Sequence, residues 1–289
     1  MHASWVASMI MLLACRSSSP ALTPAVRVDD YAVARGHFHT RLIKQAPAPQ
    51  TWRPYTMPDD ARAVDYESSG LRLKAWISRA PGDGSHPAVL FLHGGAAFDA
   101  DDWRMSQPFR DAGFIVMTPI LRAENGQPGN YSMFYDEVDD VLAAAELLAH
   151  QPGIDVKRIY LAGHSAGGTL ALLAALTSHR FRAAAAFSGD PDFESFAALP
   201  GGEAIIPYAP GDPAELRMRS ALVFATSFKC PTRMFWGDEE SGVGEGNRAA
   251  ANRAKSAGLD VEAIEVPGDH HTMVVPASAR AIAFFEQQR

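Results

Sequence analysis

One serine lies in a short glycine-rich segment whose residue types could support nucleophilic chemistry. The segment reads Gly163-His164-Ser165-Ala166-Gly167-Gly168 and joins an apolar run to an Ala/Leu-rich run. A strand followed by a helix here would place Ser165 on a turn so tight that only small neighbours fit, with Oγ exposed above the sheet. The N–H of Ala166 would then lie at a helix N-terminus, where it could bind an anion. The sequence therefore predicts Ser165 as a nucleophile and Ala166 as a backbone donor of an oxyanion hole.

A serine nucleophile needs a general base and a carboxylate that orients the base. For a nucleophile on such a turn, the expected chain order is serine, acid, histidine. Of ten histidines, only His270 and His271 follow the predicted strand 232–236, and residues 238–240 directly after that strand read Asp-Glu-Glu. Chain order alone therefore leaves two candidates for the base and three for the acid.

A second oxyanion donor is expected after the buried strand predicted at 88–92. The chain continues there as His93-Gly94-Gly95-Ala96, and small residues at this point let backbone N–H groups approach a substrate oxygen. The donor is expected from Gly95 or Ala96. His93, like His164, is expected at most to support the reacting groups.

The elements that must position these residues alternate between strands and helices. Alternating polarity on both sides of Ser68-Ser69-Gly70 predicts a hairpin of strands 63–67 and 71–78. Further strands are predicted at 88–92, 114–118, 158–162, 183–187, 232–236 and 261–266, and helices over 138–148, 165–178, 245–257 and 278–287. This order predicts an α/β fold, a mostly parallel twisted sheet with helices on both faces.

The first sixty residues differ from the rest of the chain. Residues 1–15 are largely apolar and carry no Lys, Arg, Asp or Glu, but they are shorter than the ~20 residues that a membrane-spanning helix needs. Leu12-Leu13-Ala14-Cys15, followed by a Ser/Pro stretch, resembles a bacterial lipoprotein signal in which the cysteine is lipidated. A buried or frayed N-terminal helix is the alternative.

We therefore expect an exported protein, either periplasmic or held at the cell envelope by a membrane anchor on Cys15. Residues 1–20 form the signal-like segment, and 21–60 form a tether and an irregular arm in which repeated prolines remove backbone donors. Residues 61–289 form the main domain. Within it, the segment 190–228 is a candidate cap.

Composition excludes several classes of function. Hydrophobic residues make up 47% of the 289 residues and charged residues 20%, as expected for a globular chain rather than a disordered one. The formal net charge is −7, with no basic cluster that could neutralise a row of phosphates, so nucleic-acid binding is not expected. Two cysteines, Cys15 and Cys230, are too few for a disulfide scaffold and lack the companions of a zinc site. No metal or cofactor is implied.

From about Ala61 to its end, the chain resembles an α/β-hydrolase of the prolyl-oligopeptidase and dienelactone-hydrolase-like bacterial serine hydrolases. The segments that carry the resemblance are 91–95, 134–142, 155–168, 181–189 and 267–271. Similar proteins place the acid three residues after the strand-ending glycine, here Glu240, although they usually use Asp. Their Asp/Asn-His-Phe-Ser segment is matched by Asp269-His270-His271-Thr272. The resemblance thus favours Glu240 over Asp238 and Glu239, and His270 over His271.

The resemblance implies a serine hydrolase, and the substrate is expected to be a small ester or a short peptide. Only about sixty residues precede the main domain, too few for the propeller of the oligopeptidases, so a carboxylic ester is favoured over a strict peptidase substrate. The alternatives are an aminopeptidase-like or acyl-peptide-cleaving enzyme and a lipoprotein that binds without turnover. The loop 121–126 is expected to contact substrate. Segment 190–228 could either cap the site or complete the core with its apolar residues Phe193, Phe196, Leu199, Ile205, Ile206, Tyr208, Phe224 and Phe228.

Overall fold

A single eight-stranded sheet forms the centre of the computed structural model, which describes residues 30–197, 205–240 and 242–288. The strands are β1 (Ala61–Ser68), β2 (Leu71–Ser78), β3 (His86–Leu92), β4 (Ile115–Pro119), β5 (Ile154–His164), β6 (Ala184–Phe187), β7 (Thr232–Gly237) and β8 (Val261–Val266). They lie in the order β1-β2-β4-β3-β5-β6-β7-β8. Strands β3 to β8 are parallel, and β1 and β2 are antiparallel. The predicted mostly parallel sheet is confirmed.

Helices cover both faces of this sheet. They are α1 (Tyr31–Gly36), α2 (Ala100–Met105), α3 (Gln107–Asp111), α4 (Glu137–Ala149), α5 (Ala166–Thr177), α6 (Phe193–Ala197), α7 (Pro213–Arg219), α8 (Val243–Ser256) and α9 (Val274–Gln287). Alternate residues of β3 enter different cores: Leu90 and Leu92 pack in the cluster with α4, α5 and α8, whereas Val89 and Phe91 pack in the cluster with α3 and α9. Burial on both faces explains the continuous apolar run that predicted this strand.

The hairpin turn has the backbone conformation that its residues favour. Ser69 and Gly70 both have positive φ, 48° and 79°. Two such residues in succession form the tight loop whose twist matches that of the flanking strands. The predicted hairpin between β1 and β2 is therefore confirmed, with all eight residues of each strand paired.

The arm contains a short helix that the sequence pattern does not predict. Asp30 caps α1 by accepting a hydrogen bond from the N–H of Val33, and Tyr31 is fully buried and donates its hydroxyl to the carbonyl of Met218. Six residues are too few to show a helical period, so tertiary contacts rather than amphipathic pattern fix this helix. The remaining arm, up to β1, is mostly irregular.

The predicted signal segment, including Cys15, lies outside the described residues, as does Leu199 of the candidate cap. Among the helices of the described ranges, none is long and apolar enough to cross a membrane.

Candidate active site

Ser165 occupies the sharp turn between β5 and α5. Its backbone has φ 55° and ψ −119°, a conformation that few residues other than glycine adopt. Two hydrogen bonds hold it: the Ser165 N–H donates to the carbonyl of Phe187 at 2.8 Å, and the Ser165 carbonyl accepts from the N–H of Thr169 at 3.0 Å. A strained residue fixed in this way is typical of a functional site.

Close backbone packing explains the glycines around Ser165. A Cβ on Gly163 would lie 2.2 Å from the carbonyl oxygen of Gly167, and a Cβ on Gly167 would lie 2.3 Å from the carbonyl oxygen of Leu92. Backbone atoms cannot move aside as a flexible side chain can. The turn therefore requires glycine at both positions, which accounts for the sequence motif.

The structure brings Ser165, His270 and Glu240 into one hydrogen-bonded chain. The His270 Nε2 atom lies 3.0 Å from Ser165 Oγ, and its Nδ1 atom lies 2.6 Å from Glu240 Oε1. These three residues follow the carboxyl ends of β5, β8 and β7, which meet at the same edge of the parallel sheet. The arrangement has the geometry of a nucleophile, a base and an orienting acid.

The Glu240 carboxylate is held by three donors. Its Oε2 atom accepts hydrogen bonds from Ser188 Oγ at 2.6 Å and from the Gly237 N–H at 2.7 Å, while Oε1 contacts His270. Burial raises the pKa of Glu240, but the hydrogen bonds from Ser188, Gly237 and His270 outweigh it, and the pKa falls below its ordinary value. Glu240 is therefore ionised near neutral pH and can stabilise an imidazolium on His270.

The neighbouring candidates lie in different environments. Asp238 is exposed, and its carboxylate accepts a hydrogen bond from the Gly268 N–H at 2.8 Å. Glu239 is exposed too, and its N–H donates to the carbonyl of Gly268. The N–H of the exposed His271 donates to Asp269, and His271 borders a second, smaller cavity. These contacts support the loop that carries His270.

His164 connects the nucleophile turn to the histidine loop. The His164 Nε2 atom donates to the carbonyl of His270 at 2.7 Å. Burial lowers the pKa of His164 to about 4, so the ring is neutral at neutral pH. This contact fixes the backbone of His270 relative to Ser165. Only its place beside Ser165 in the motif could have indicated the role.

The backbone after β3 lies against Ser165 and includes the two candidate oxyanion donors. Gly95 has φ 66°. The N–H of Ala96 donates to the side-chain oxygen of Gln50 at 2.8 Å. Gln50 belongs to the irregular arm, more than a hundred residues before Ser165, and no sequence signal identified it.

The loop 121–126 supports this backbone. The Glu124 carboxylate contacts the His93 Nε2 atom at 2.9 Å, and the Asn125 side chain exchanges two hydrogen bonds with the backbone of Phe98. Burial lowers the pKa of His93, but the charge and hydrogen bond of Glu124 outweigh it and raise the pKa to about 9. The result is a buried ion pair that anchors the start of the backbone segment after β3. The loop residues are not among those that line the cavity at Ser165 in the described structure.

A cavity of about 570 Å³ opens beside Ser165 and His270. Its side chains are mostly apolar: Pro49, Tyr131, Met133, Phe134, Phe193, Ile205 and Val243. Met133 and Phe134 both have positive φ, 57° and 69°, and the carbonyl of Met133 accepts a hydrogen bond from the fully buried Arg219 at 2.6 Å. An apolar cavity of this size beside a nucleophile suits an apolar acyl or aromatic group.

The residues of segment 190–228 divide between the two expected roles. Phe193, Tyr208, Phe224 and Phe228 are buried in the same core cluster as α4 and α5, whereas Ile205 is 37% exposed. Phe193 and Ile205 also line the cavity at Ser165.

In the described part of the chain, no cluster of His, Cys, Asp or Glu could hold a metal ion.

Comparison with known proteins gives a partial family match. Residues 101–205 match the prolyl oligopeptidase family. A Bacillus subtilis protein described as the uncharacterized peptidase YtmA is 31% identical over 115 residues, which are 39% of this chain and 44% of that protein. The chain thus spans less than half of the length of this curated relative.

Two solved structures share the fold. The Mycobacterium tuberculosis puromycin-hydrolysing peptidase aligns with a TM-score of 0.69 and 23% identity over 79% of this chain and 39% of its own. The Pyrococcus furiosus esterase Pf2001 aligns with a TM-score of 0.65 and 21% identity over 84% of this chain and 97% of its own. One is a peptidase and the other an esterase, so the shared α/β-hydrolase fold accommodates both reactions.

Proposed function

We propose that this chain, which has the α/β-hydrolase fold, is a serine hydrolase that cleaves carboxylic esters with apolar acyl groups. The observation that carries the proposal is the hydrogen-bonded chain from Glu240 through His270 to Ser165 at the wall of an apolar cavity. The comparisons support a serine hydrolase, because the similar proteins and structures are peptidases and esterases.

The reaction proceeds through an acyl-enzyme. His270 Nε2 accepts the proton of Ser165 as Oγ bonds to the ester carbonyl carbon, and Glu240 stabilises the imidazolium. The backbone N–H groups of Ala166 and of Gly95 or Ala96 stabilise the resulting oxyanion. His270 then gives its proton to the departing alkoxide, which leaves as the alcohol. Water, deprotonated by His270, attacks the acyl group, and the acid is released as the proton returns to Ser165.

The apolar lining of the cavity favours an ester with an apolar acyl group. Among the described residues that line it, the one acidic side chain is Asp190, whose pKa is raised by burial. The structural alignment with the Pyrococcus furiosus esterase, which covers 97% of that protein, also supports an ester substrate.

Cleavage of short peptides is the second candidate. The family match over residues 101–205 and the similarity to a protein described as an uncharacterized peptidase favour it. A peptide bond makes the same demands on Ser165 and His270 but requires protonation of a poorer leaving group.

A substrate panel separates the two reactions. We expect p-nitrophenyl esters of short and medium acyl chains to be hydrolysed, and aminoacyl p-nitroanilides to be turned over no faster by wild type than by Ser165→Ala, which should also abolish ester hydrolysis. Turnover of the anilides that depends on Ser165 would favour the peptidase instead. A folded protein that hydrolyses neither class and forms no covalent adduct at Ser165 would instead fit a binding protein without turnover.

A further inference from the structure

The arm borders the cavity at Ser165 and is hydrogen-bonded to the domain through its backbone. The carbonyl of Ala46 accepts a hydrogen bond from the Tyr131 N–H at 3.0 Å, and the Ala48 N–H donates to the carbonyl of Ala123 at 3.0 Å. Tyr131 is itself one of the residues that line the cavity at Ser165. These bonds bring the next residues, Pro49 and Gln50, to the edge of that cavity.

The side chain of Gln50 binds the segment expected to form the oxyanion hole. Its Oε1 atom accepts the Ala96 N–H at 2.8 Å. It also lies so close to Gly95 that a Cβ there would be 2.3 Å from Oε1. An amide oxygen is the same type of acceptor as the carbonyl oxygen of an ester. Gln50 thus presents to this backbone the group that a substrate would present.

Gln50 also lines two cavities that both reach Ser165. One is the apolar cavity of about 570 Å³, and the other is a more polar cavity of about 270 Å³ that Asp99 and His271 border. An ester bound across Ser165 would need its carbonyl where the amide now lies. The Gln50 side chain is exposed, so rotation about its own bonds can move the amide without displacing the arm.

We infer that Gln50 occupies the oxyanion hole in the free protein and so sets the affinity of the site for its substrate. The inference rests on the proposed function. Before an ester can bind productively, its carbonyl oxygen must replace the Gln50 amide at the Ala96 N–H. An internal competitor reduces the fraction of protein that can bind substrate and raises KM by the same factor, but at saturating substrate it leaves kcat unchanged.

The hydrogen bond between Gln50 and the Ala96 N–H is weak enough to allow turnover. One neutral hydrogen bond shifts an equilibrium by about fivefold, a factor that a substrate can overcome by binding. An oxyanion-hole donor contributes about 10²-fold or more to the rate once charge develops on the substrate oxygen. The Ala96 N–H therefore discriminates strongly in favour of the transition state, and the Gln50 contact acts mainly on binding.

Substitutions of Gln50 test the inference, with Gln45→Ala as the matched control in the same arm. Gln45 is exposed and does not line either cavity at Ser165. For hydrolysis of a p-nitrophenyl ester we expect Gln50→Ala to lower KM about fivefold with kcat within about twofold of wild type. Gln50→Glu should raise KM above wild type, because a carboxylate accepts a stronger hydrogen bond from the same N–H. Gln45→Ala should leave both constants unchanged.

A fluorophosphonate probe provides an independent readout, because its P=O oxygen uses the same donors. The rate constant for labelling of Gln50→Ala should exceed that of wild type by the same factor of about five. Unchanged KM and labelling rate, or a fall in kcat with KM constant, would overturn the inference while leaving the hydrolase intact. Absence of both hydrolysis and labelling in folded wild type and in both Gln50 variants would instead remove the proposed function.

Discussion

Ser165 and His270 are close enough for direct proton transfer because two local structures hold them. The strained turn fixes Ser165, and the hydrogen bond from His164 fixes the backbone of His270. Glu240 in turn depends on Ser188, which has a positive φ of 48° at the end of β6. Hydrogen bonds from neighbouring residues thus hold His270 and Glu240, and the backbone of the turn holds Ser165.

Separate alanine substitutions of the two adjacent histidines test which one is the base. His270→Ala should lower kcat/KM for a p-nitrophenyl ester by roughly 10³-fold or more, because Ser165 loses its proton acceptor. His271→Ala should change kcat/KM by less than about threefold, since its imidazole does not contact Ser165 or Glu240 in the described structure. The opposite ranking in steady-state assays would assign the base to His271.

The low pKa of His164 predicts a contribution to the pH dependence of stability. The folded protein keeps His164 neutral down to about pH 4, whereas the unfolded chain protonates it near its ordinary pKa of 6.5. Between these values the unfolded state binds more protons, so stability falls as the pH is lowered. The His164→Gln variant retains a donor but cannot titrate.

Urea unfolding at pH 7 and pH 5 measures this effect. Wild type should lose about 2 kcal/mol more of its free energy of unfolding than His164→Gln does over this interval. Equal losses in the two proteins would show that His164 titrates alike in the folded and unfolded states.

Secondary-structure elements that depend on neighbouring residues can be predicted from the sequence. Short helices and contacts that depend on residues far apart in the chain cannot. The hairpin, the buried strands and the turn at Ser165 each follow from a local pattern of polarity or glycine. Helices α1, α2 and α3 are only five or six residues long and too short for a helical period. Gln50 reaches the site through contacts of the arm, and Arg219 reaches Met133 across 86 positions, so neither leaves a local signal.

Arg219 connects α7, the arm and the cavity wall, and its removal should destabilise the folded protein. It is fully buried, contacts the Glu215 carboxylate at 2.6 Å, and donates to Thr40 Oγ1 and to the carbonyls of Ser132 and Met133. Arg219→Leu would leave the buried Glu215 without its charge partner. We expect it to lower the free energy of unfolding by about 3–5 kcal/mol.

The control for this substitution is Arg104→Leu, which removes an exposed ion pair with Asp101 on α2. It should remain within about 0.5 kcal/mol of wild type in the same urea titration. Similar losses in the two variants would show that the Arg219 network does not hold these elements together.

In the whole molecule, the carboxyl ends of the parallel strands place the candidate triad at one edge of the sheet. The residues before the described part of the chain include the signal-like sequence at Cys15. We propose that this segment directs export and lipidation. The thiol of Cys230 is buried, and burial raises its pKa to about 12, so it offers a matched control that is not a lipidation site.

Membrane fractionation and intact mass of the chain expressed in a bacterium test the anchor. Wild type and Cys230→Ser should sediment with membranes, because two or more lipid chains anchor a protein stably in a bilayer. Both should carry the mass of a lipid-modified N-terminal cysteine. Cys15→Ser should appear in the soluble fraction without that mass. A mature wild-type chain that begins at unmodified Met1 would contradict lipidation.

Covalent labelling measures whether Ser165 is a nucleophile and whether His270 activates it. We would incubate the folded protein with a fluorophosphonate, digest it and locate the adduct by mass spectrometry. We expect a stoichiometric adduct on Ser165 that forms roughly 10³-fold more slowly in His270→Ala and does not form in Ser165→Ala. An unlabelled wild type, or an adduct on a different residue, would contradict this expectation.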